Sequence, residues 1–512
     1  MSADREQNAA LNRGATARAR ERAVVLGLAA ALVVFRSAVL VFFESSRFDS
    51  DQALIGLMAR HLVEGRAFPV FTYRQPYMLG VEAWMAAPFF MLGGTTVAML
   101  KLPLLLVNVA TAVLLVILIE RECGLRPIVA LVPALPFILA APGTATLLLE
   151  ASGGNVEPFL YVLLLWMARR RPMVFGAVLA FGVLQREFTV YALGSLALLS
   201  LADRSLLRRT TWQPMATGLV SFCAMWQGVY VLKRFSSIDG PGTSPDWTVV
   251  AGGANLAALV AHVCVDAGRM LAGFWTLATT HLGDLAGATP RPLADYFISS
   301  TVSQGAVWLW PLLGGALVLA TARLGWLIVS RRIRPWAPPV RLATFLWLVG
   351  VQAVAVNVLL RCGAVEIGYM RYSLLGVFGA TGLIAAVLVL EPSRRLRMAA
   401  VLVTILWVGV SARDHARLAA EYVRTRPVDG RRLLADHLVE RGIRFAYADF
   451  WDAYTTMFYA DERVIIACTS QYFIEEYQWL VREHAAEAYW IRRTPCEGGT
   501  AIAGWLYVCP PA

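Results

Sequence analysis

Runs of about twenty apolar residues recur along the chain, each bracketed by a short cluster of arginines. A helix of that length crosses the ~30 Å hydrocarbon core of a bilayer, and Lys and Arg collect in the loops that stay in the cytoplasm. The first run, Ala23 to Phe43, follows Arg5, Arg13, Arg18, Arg20 and Arg22, and no cleavable signal site is evident after it. The N-terminus is therefore expected in the cytoplasm. Further clusters are Arg121 with Arg126, Arg169 to Arg171, Arg204 with Arg208 and Arg209, Arg331 with Arg332 and Arg334, and Arg394 with Arg395 and Arg397. If each marks a cytoplasmic turn, about eleven spans follow, near 23–43, 102–119, 128–149, 155–168, 173–187, 188–202, 213–232, 305–330, 341–360, 373–390 and 398–411. An odd count puts the C-terminus outside.

Composition agrees: 58% of the 512 residues are hydrophobic and 16% charged, more apolar and less charged than a soluble domain. The net charge of +11 is dispersed among the arginine clusters, a loop pattern that argues against nucleic-acid binding. The expected organisation is a cytoplasmic segment 1–22, a transmembrane region 23–411 with outer loops 44–101 and 233–304, and an extracytoplasmic domain 412–512. Val81 to Leu92 is read as a juxtamembrane or re-entrant helix, because counting it as a span would put the arginine clusters outside.

After Val410 the chain becomes charged and mixed. Helical stretches (Asp429 to Arg441, Tyr472 to Ala485) alternate with strand-like runs (Phe445 to Tyr447, Val464 to Ala467, Ala501 to Val508), which predicts a small α/β domain. Of its cysteines Cys468, Cys496 and Cys509, the favoured pair is Cys496 with Cys509, while Cys123, Cys223, Cys264 and Cys362 lack metal-ligand spacing and are read as inert. No Walker loop, zinc signature, dinucleotide fingerprint or internal repeat is evident.

The chemistry-bearing residues gather at the expected outer ends of spans. Asp49 and Asp51 open an amphipathic helix, Leu54 to Gly65, where Ser50 or Asp51 can serve as cap and either acid as a general base. Tyr73, Gln75 and Glu82 follow in a polar, aromatic stretch that also suits an interfacial belt. Asn155 and Glu157 lead into a span, and a carboxylate at the membrane edge is costly unless paired or wetted. Arg186 and Glu187 can neutralise each other, while Arg371, beside Tyr372, has no adjacent acid and suits either a phosphate or a snorkelling role.

This arrangement resembles the GT-C glycosyltransferases, in particular bacterial members related to protein O-mannosyltransferases and aminoarabinose transferases. Asp51-Gln52-Ala53 looks like their Asp-Glu-Ala motif, Glu157-Pro158-Phe159 like the Asp-Pro-Phe segment after the third span, and Arg371-Tyr372 like the Arg-Tyr before a late span. Gln52 departs from the usual Glu, and Arg74-Gln75 stands where Gly-Gln is common; the first makes Asp49 an alternative base. The resemblance implies an α-helical GT-C-like fold in the bacterial inner membrane. It also implies inverting transfer of a sugar from a polyprenyl-phosphate donor to the hydroxyl of a glycan, lipid or protein acceptor, with membrane lipids as surroundings. Asp51 would take the acceptor proton, already ionised at an ordinary pKa of ~3.9. Glu157 would position the acceptor or share that role. Arg371 with Arg186 would neutralise the leaving phosphate, and Glu82, Tyr73, Gln75, Asn155 and Tyr372 would line the substrate site. No cofactor is expected, although two carboxylates on one cavity leave room for a divalent ion. A lipid-linked sugar transporter or flippase, or a non-catalytic sugar-lipid binder, is the alternative reading.

Overall fold

The computed structural model describes residues 2–43, 47–206, 208–233, 235–236, 265–331, 334–362 and 366–511, the side chains of 2–15, 76–77 and 331 excepted. Much of the expected outer loop 233–304, Cys264, Arg332 and the residues 44–46 lie outside the described residues.

The first helix, α1 (Ser2–Phe42), is followed by α2 (Ser50–Val63), a short hairpin at 71–79, α3 (Val81–Gly93) and α4 (Val97–Cys123). After α4, α5 (Pro127–Ile138) and α6 (Pro142–Leu147) divide the run expected as one span at 128–149; Pro127 and Pro142 start the two helices, and a proline has no N–H to carry a helix through. Next come α7 (Glu157–Ala168) and α8 (Pro172–Gln185). Among the described residues, 6 helices are long and apolar enough to cross a membrane: Thr16–Phe42, Val97–Cys123, Arg209–Lys233, Leu309–Ser330, Arg341–Leu360 and Arg394–Arg424. The count rises to 7 if Ile367–Ser373 and Gly376–Leu390, bent by 52°, form one span.

The other four expected spans fall on apolar helices of 10–17 residues, too short at ~1.5 Å per residue to cross a ~30 Å core unaided. Arg209–Lys233 and Leu309–Arg331 leave Trp212, Leu219, Val220, Val318, Leu319 and Val329 exposed, an arrangement stable only against lipid. The chain is a multi-pass membrane protein.

Helix α4 joins two differently furnished ends of the bundle. At one, Arg22 pairs with Glu120 at 2.7 Å, Arg126 with Glu21 at 3.2 Å and Arg169 with Glu122 at 3.0 Å, so three of the arginine clusters meet. At the other, Lys101 donates to the Arg47 carbonyl at 2.6 Å, close to Asp49 and Glu150.

Residues 430–509 form an α/β layer with a five-stranded sheet, ordered Ile465–Cys468, Phe445–Ala448, Tyr489–Arg492, Leu506–Cys509, Thr500–Ile502. The first three strands run parallel and the last two form an antiparallel hairpin. The single run expected at 501–508 is therefore that hairpin, folded back at 503–505, where Ala503 and Gly504 adopt positive φ of 54° and 78°. The helix Phe450–Tyr459 and the strand Tyr489–Arg492 have no counterpart among the expected elements. Cys496 and Cys509 form a disulfide across 13 residues. Cys362, read above as inert, is also disulfide-bonded.

The helix α2 is buried on more than its predicted stripe, since the α/β layer packs along it. Ser50 Oγ lies 3.2 Å from Thr455 Oγ1, and the Phe458 ring occupies the space beside Gly56. Further along, His61 Nδ1 lies 2.9 Å from the Tyr73 hydroxyl, and Nε2 lies 2.9 Å from Glu462 and 3.1 Å from the Tyr477 hydroxyl. Burial works against charge on Glu462, but His61, Tyr477 and Arg66 together hold its carboxyl down to about 2. Any Cβ at Gly56 would run into Phe458. Gly56→Leu is expected to cost about 1–3 kcal/mol by overpacking this seam, read as a lower midpoint of thermal unfolding in detergent, whereas Arg60→Ala, at the partly exposed rim where it pairs with Glu64, Asp461 and Glu462, should cost about 1 kcal/mol or less.

Candidate functional site

Asp49 caps α2: it has extended backbone (φ −125°, ψ 177°), and its Oδ1 accepts from the Gln52 amide at 3.2 Å. The expectation that Ser50 or Asp51 is the cap is corrected, because the helix already begins at Ser50, earlier than the apolar periodicity suggests. The Gln52 side chain belongs to the same turn, donating to Asp49 Oδ1 at 3.3 Å and to the Arg47 carbonyl at 3.4 Å. Asp51 lies in the first helical turn, half-buried, with its carboxylate unused by the cap.

Around Asp51 the structure gathers Asp49, Glu150, Arg371 and Arg186, all near enough to act on its charge. Burial first, and the like charge of Asp49 second, push the Asp51 carboxyl up to about 7, against the partial relief of Arg371. The sequence expectation of an ordinary, fully ionised aspartate is thus corrected: water is scarce here, and a second carboxylate sits beside it. Glu150 is buried and pairs with Arg47 at 3.1 Å. Arg47, Lys101 and Glu150 are members of this cluster that sequence reasoning did not single out. Lys101 looked like a loop boundary, and the side chains meet only because α1, α4 and the 148–156 segment converge.

Glu157 lies elsewhere. It is the first residue of α7, 2% exposed, and its partner in charge is Glu82, also 2% exposed. Glu82 is held by the amides of Gly153 and Gly154 at 2.7 and 2.8 Å, which point at it because both glycines take positive φ (89° and 100°). Among the described residues, neither Glu157 oxygen meets a donor in hydrogen-bond geometry, although Gln185, bonded to the Tyr161 hydroxyl, lies beside it. The sequence expects Glu157 and Asp51 to converge on one water-accessible cavity; in the structure Glu157 is buried and its nearest acid is Glu82. Arg186 acts on both Asp51 and Glu82 and is the link between the two.

Arg186 does not pair with Glu187. Among the described residues it makes no ion pair; Nη1 lies 3.2 Å from Met78 Sδ, and the guanidinium stands 5.4 Å from the Phe188 ring and 5.9 Å from the Tyr372 ring. Arg371 is 5.4 Å from that Tyr372 ring, and Arg361, which the sequence did not flag, lies only 3.6 Å above it. Among the described residues, Arg186 Nε, Arg361 Nη1 and Arg371 Nε are buried without a hydrogen-bond partner. Three guanidinium groups around one aromatic ring, with spare donors, form a cationic wall for a phosphate-like group. Of the expected lining residues, Tyr372 belongs to this wall and supplies its central ring.

Asn155 steadies the 148–156 segment, donating to the Leu147 carbonyl at 3.0 Å and to Ser152 at 3.2 Å. Tyr73 belongs to the seam with the α/β layer through His61. Because His61 stands about 15 Å along α2 from Asp51, Tyr73 is not brought to the carboxylates. Gln75 sits at the turn of the 71–79 hairpin, beside Arg74, whose guanidinium lies 4.2 Å over the Tyr472 ring. Among the described residues no three His, Cys, Asp or Glu side chains gather in a way that could hold a metal ion.

The described residues also enclose two cavities. One, about 360 Å³, is almost wholly apolar and is walled by residues that include Leu285, Trp310, Leu317, Val351, Ile384 and Trp407. The other, about 530 Å³, is polar and has Met370, the residue before Arg371, in its wall.

No protein-family model matches the sequence, and no curated protein matches it. Among solved structures, the chain aligns with ArnT from Cupriavidus metallidurans bound to undecaprenyl phosphate at 12% identity and a TM-score of 0.43, covering 96% of this chain and 98% of that one. The apo state of the same protein aligns over the same shares at 12% identity and a TM-score of 0.41.

Proposed function

We propose that this chain is an inverting membrane glycosyltransferase that moves a sugar from a polyprenyl-phosphate donor to an acceptor hydroxyl at the outer face of the cytoplasmic membrane. The observation that carries the reading is a carboxylate, Asp51, standing next to a wall of guanidinium groups with spare donors, at the end of the bundle opposite the paired arginine clusters. The motif resemblance around Asp51, Glu157 and Arg371 supports it independently.

In this reading Asp51 accepts the proton of the acceptor hydroxyl as the acceptor oxygen bonds to the anomeric carbon. The bond from that carbon to the phosphate oxygen breaks, and its electron pair leaves on the polyprenyl phosphate. Charge on the phosphate grows from one to two as this happens, and Arg371, Arg361 and Arg186 answer it where little water competes. The lipid chain would follow the apolar cavity. The positive charge that a divalent ion would supply is carried by these arginines, so the proposed reaction needs no resident metal. Glu82, buried beside Arg186, would help hold that guanidinium in place.

The proposal is tested by reconstituting the protein in nanodiscs and following sugar transfer from labelled polyprenyl-phosphate donors to cell-envelope glycans and lipids. Absence of transfer with every donor would leave a transporter or a binder. The proposed topology has its own test: reporters fused after Arg22 and after residue 512 should report opposite compartments, cytoplasmic and outer respectively. A cytoplasmic signal from both would put the α/β layer on the wrong side for this reading.

A further inference from the structure

The polar cavity of about 530 Å³ is bounded by Thr280, His281, Asp284, Arg291, Asp295 and Phe297, with Glu366, Ile367, Gly368 and Met370 closing the other side. It stands back to back with the apolar cavity. Leu277, Leu282 and Leu285 face the apolar one, while Thr280, His281 and Asp284 from the same stretch face the polar one. The two cavities are therefore suited to unlike parts of a reaction: a hydrocarbon chain on one side and a hydrogen-bonding molecule on the other.

Three observations say what that molecule is. Phe297 is 68% exposed at the cavity wall, an aromatic face open to a ligand, and its ring lies 5.0 Å from the Arg47 guanidinium that pairs with Glu150. This contact ties the cavity to the Asp51 cluster. His281 is 5% exposed; its Nε2 is engaged by Ser373 at 2.9 Å, and Nδ1 has no hydrogen-bond partner among the described residues. Burial pushes His281 down to about 4, so the imidazole is neutral at pH 7 and adds no positive charge to the cavity. The remaining charge is mostly negative: Asp284 is paired with Arg291 at 3.1 Å, Asp295 is 3.8 Å from the same guanidinium, and Glu366 is exposed at the opposite wall. Carboxylates accept hydrogen bonds from hydroxyls and a neutral imidazole can accept or give one, whereas a phosphate would meet like charge.

We propose that this cavity holds the acceptor, and that the acceptor presents a neutral, polyhydroxylated glycan, stacked on Phe297 and hydrogen-bonded by His281, Asp295 and Glu366, rather than a phosphorylated group. The proposal rests on the glycosyltransferase reading and names its acceptor class.

The test uses the full chain in nanodiscs. Neutral tetrasaccharides of glucose, mannose, galactose and N-acetylglucosamine, and the 6-phosphate derivative of each, are titrated with binding followed by saturation-transfer NMR. At least one neutral tetrasaccharide should bind, with its phosphate at least about tenfold weaker. The double variant Asp295→Asn, Glu366→Gln changes exposed carboxylates to amides of the same shape and should narrow that gap several-fold; Phe297→Ala should weaken the neutral sugar. No binding by any tetrasaccharide, phosphates that bind as well as neutral sugars, or a gap unchanged in the double variant would each overturn the proposal. Donor turnover is measured separately. Sugar binding without any transfer from polyprenyl-phosphate donors would remove the enzyme reading alone, and transfer that proceeds with these binding results absent would remove the acceptor assignment alone.

Discussion

Asp51→Asn is expected to lower turnover by roughly 10²- to 10⁴-fold, the loss that follows removal of a general base, while donor binding stays close to that of the unmodified chain. The amide keeps the shape of the side chain, and the helix cap is Asp49, so α2 should be undisturbed. Single-turnover rate and donor affinity, measured in nanodiscs, separate the two effects. The pH dependence carries the same information. A base works when ionised, and the Asp51 carboxyl is raised to about 7, so the rate should rise with pH through about 7 and fall about tenfold for each unit below it. Asp49→Asn retains a capping side chain but removes a like charge that raises Asp51, so it should shift that limb to lower pH with the plateau rate kept. Loss of turnover in Asp49→Asn with a normal Asp51→Asn would move the base two residues upstream. Turnover unaffected by either would turn the reading toward binding or transport.

Arg371→Ala is expected to weaken the donor and slow its reaction together. A charge-assisted hydrogen bond is worth about 1.5–3 kcal/mol, so affinity for the polyprenyl-phosphate donor should fall roughly 10- to 100-fold, with a further loss in rate because the departing phosphate carries more charge than the bound donor. Arg371→Lys should recover part of the affinity and less of the rate, since an ammonium supplies the charge without the planar fork. Arg361→Ala should follow the same pattern, its guanidinium lying on the same Tyr372 ring. Normal donor affinity in both variants would remove the phosphate role from this wall and leave Arg371 as a membrane-edge arginine.

The two carboxylate groups show where sequence reading stops. Asp49, Asp51, Glu82 and Glu157 all stand out as acids beside apolar runs, and that is a local property of the chain. Which acid sits with which is not local: Glu82 reaches the amides of Gly153 and Gly154, about seventy positions away, and Asp51 meets Arg371 from more than three hundred positions away. Arg361 gave no signal because it follows an apolar run like any membrane-edge arginine, and only the stacking on Tyr372 distinguishes it. Tyr73 gave a false one, since an aromatic in a polar loop reads alike whether it meets a substrate or His61.

The sequence by itself determined that this is a multi-pass membrane protein with a mixed α/β C-terminal part. It also determined which acids and arginines lie at helix ends, because hydropathy, charge clusters and turn residues act over a few residues. Tertiary structure decided that Asp49 caps and Asp51 does not, that Glu157 belongs with Glu82, that Asp51 titrates near neutrality, and that the α/β layer clasps α2. Each of these is set by burial and by charges from segments distant in sequence, and the free energy of a buried carboxylate depends on the sum of its surroundings rather than on its neighbours along the chain.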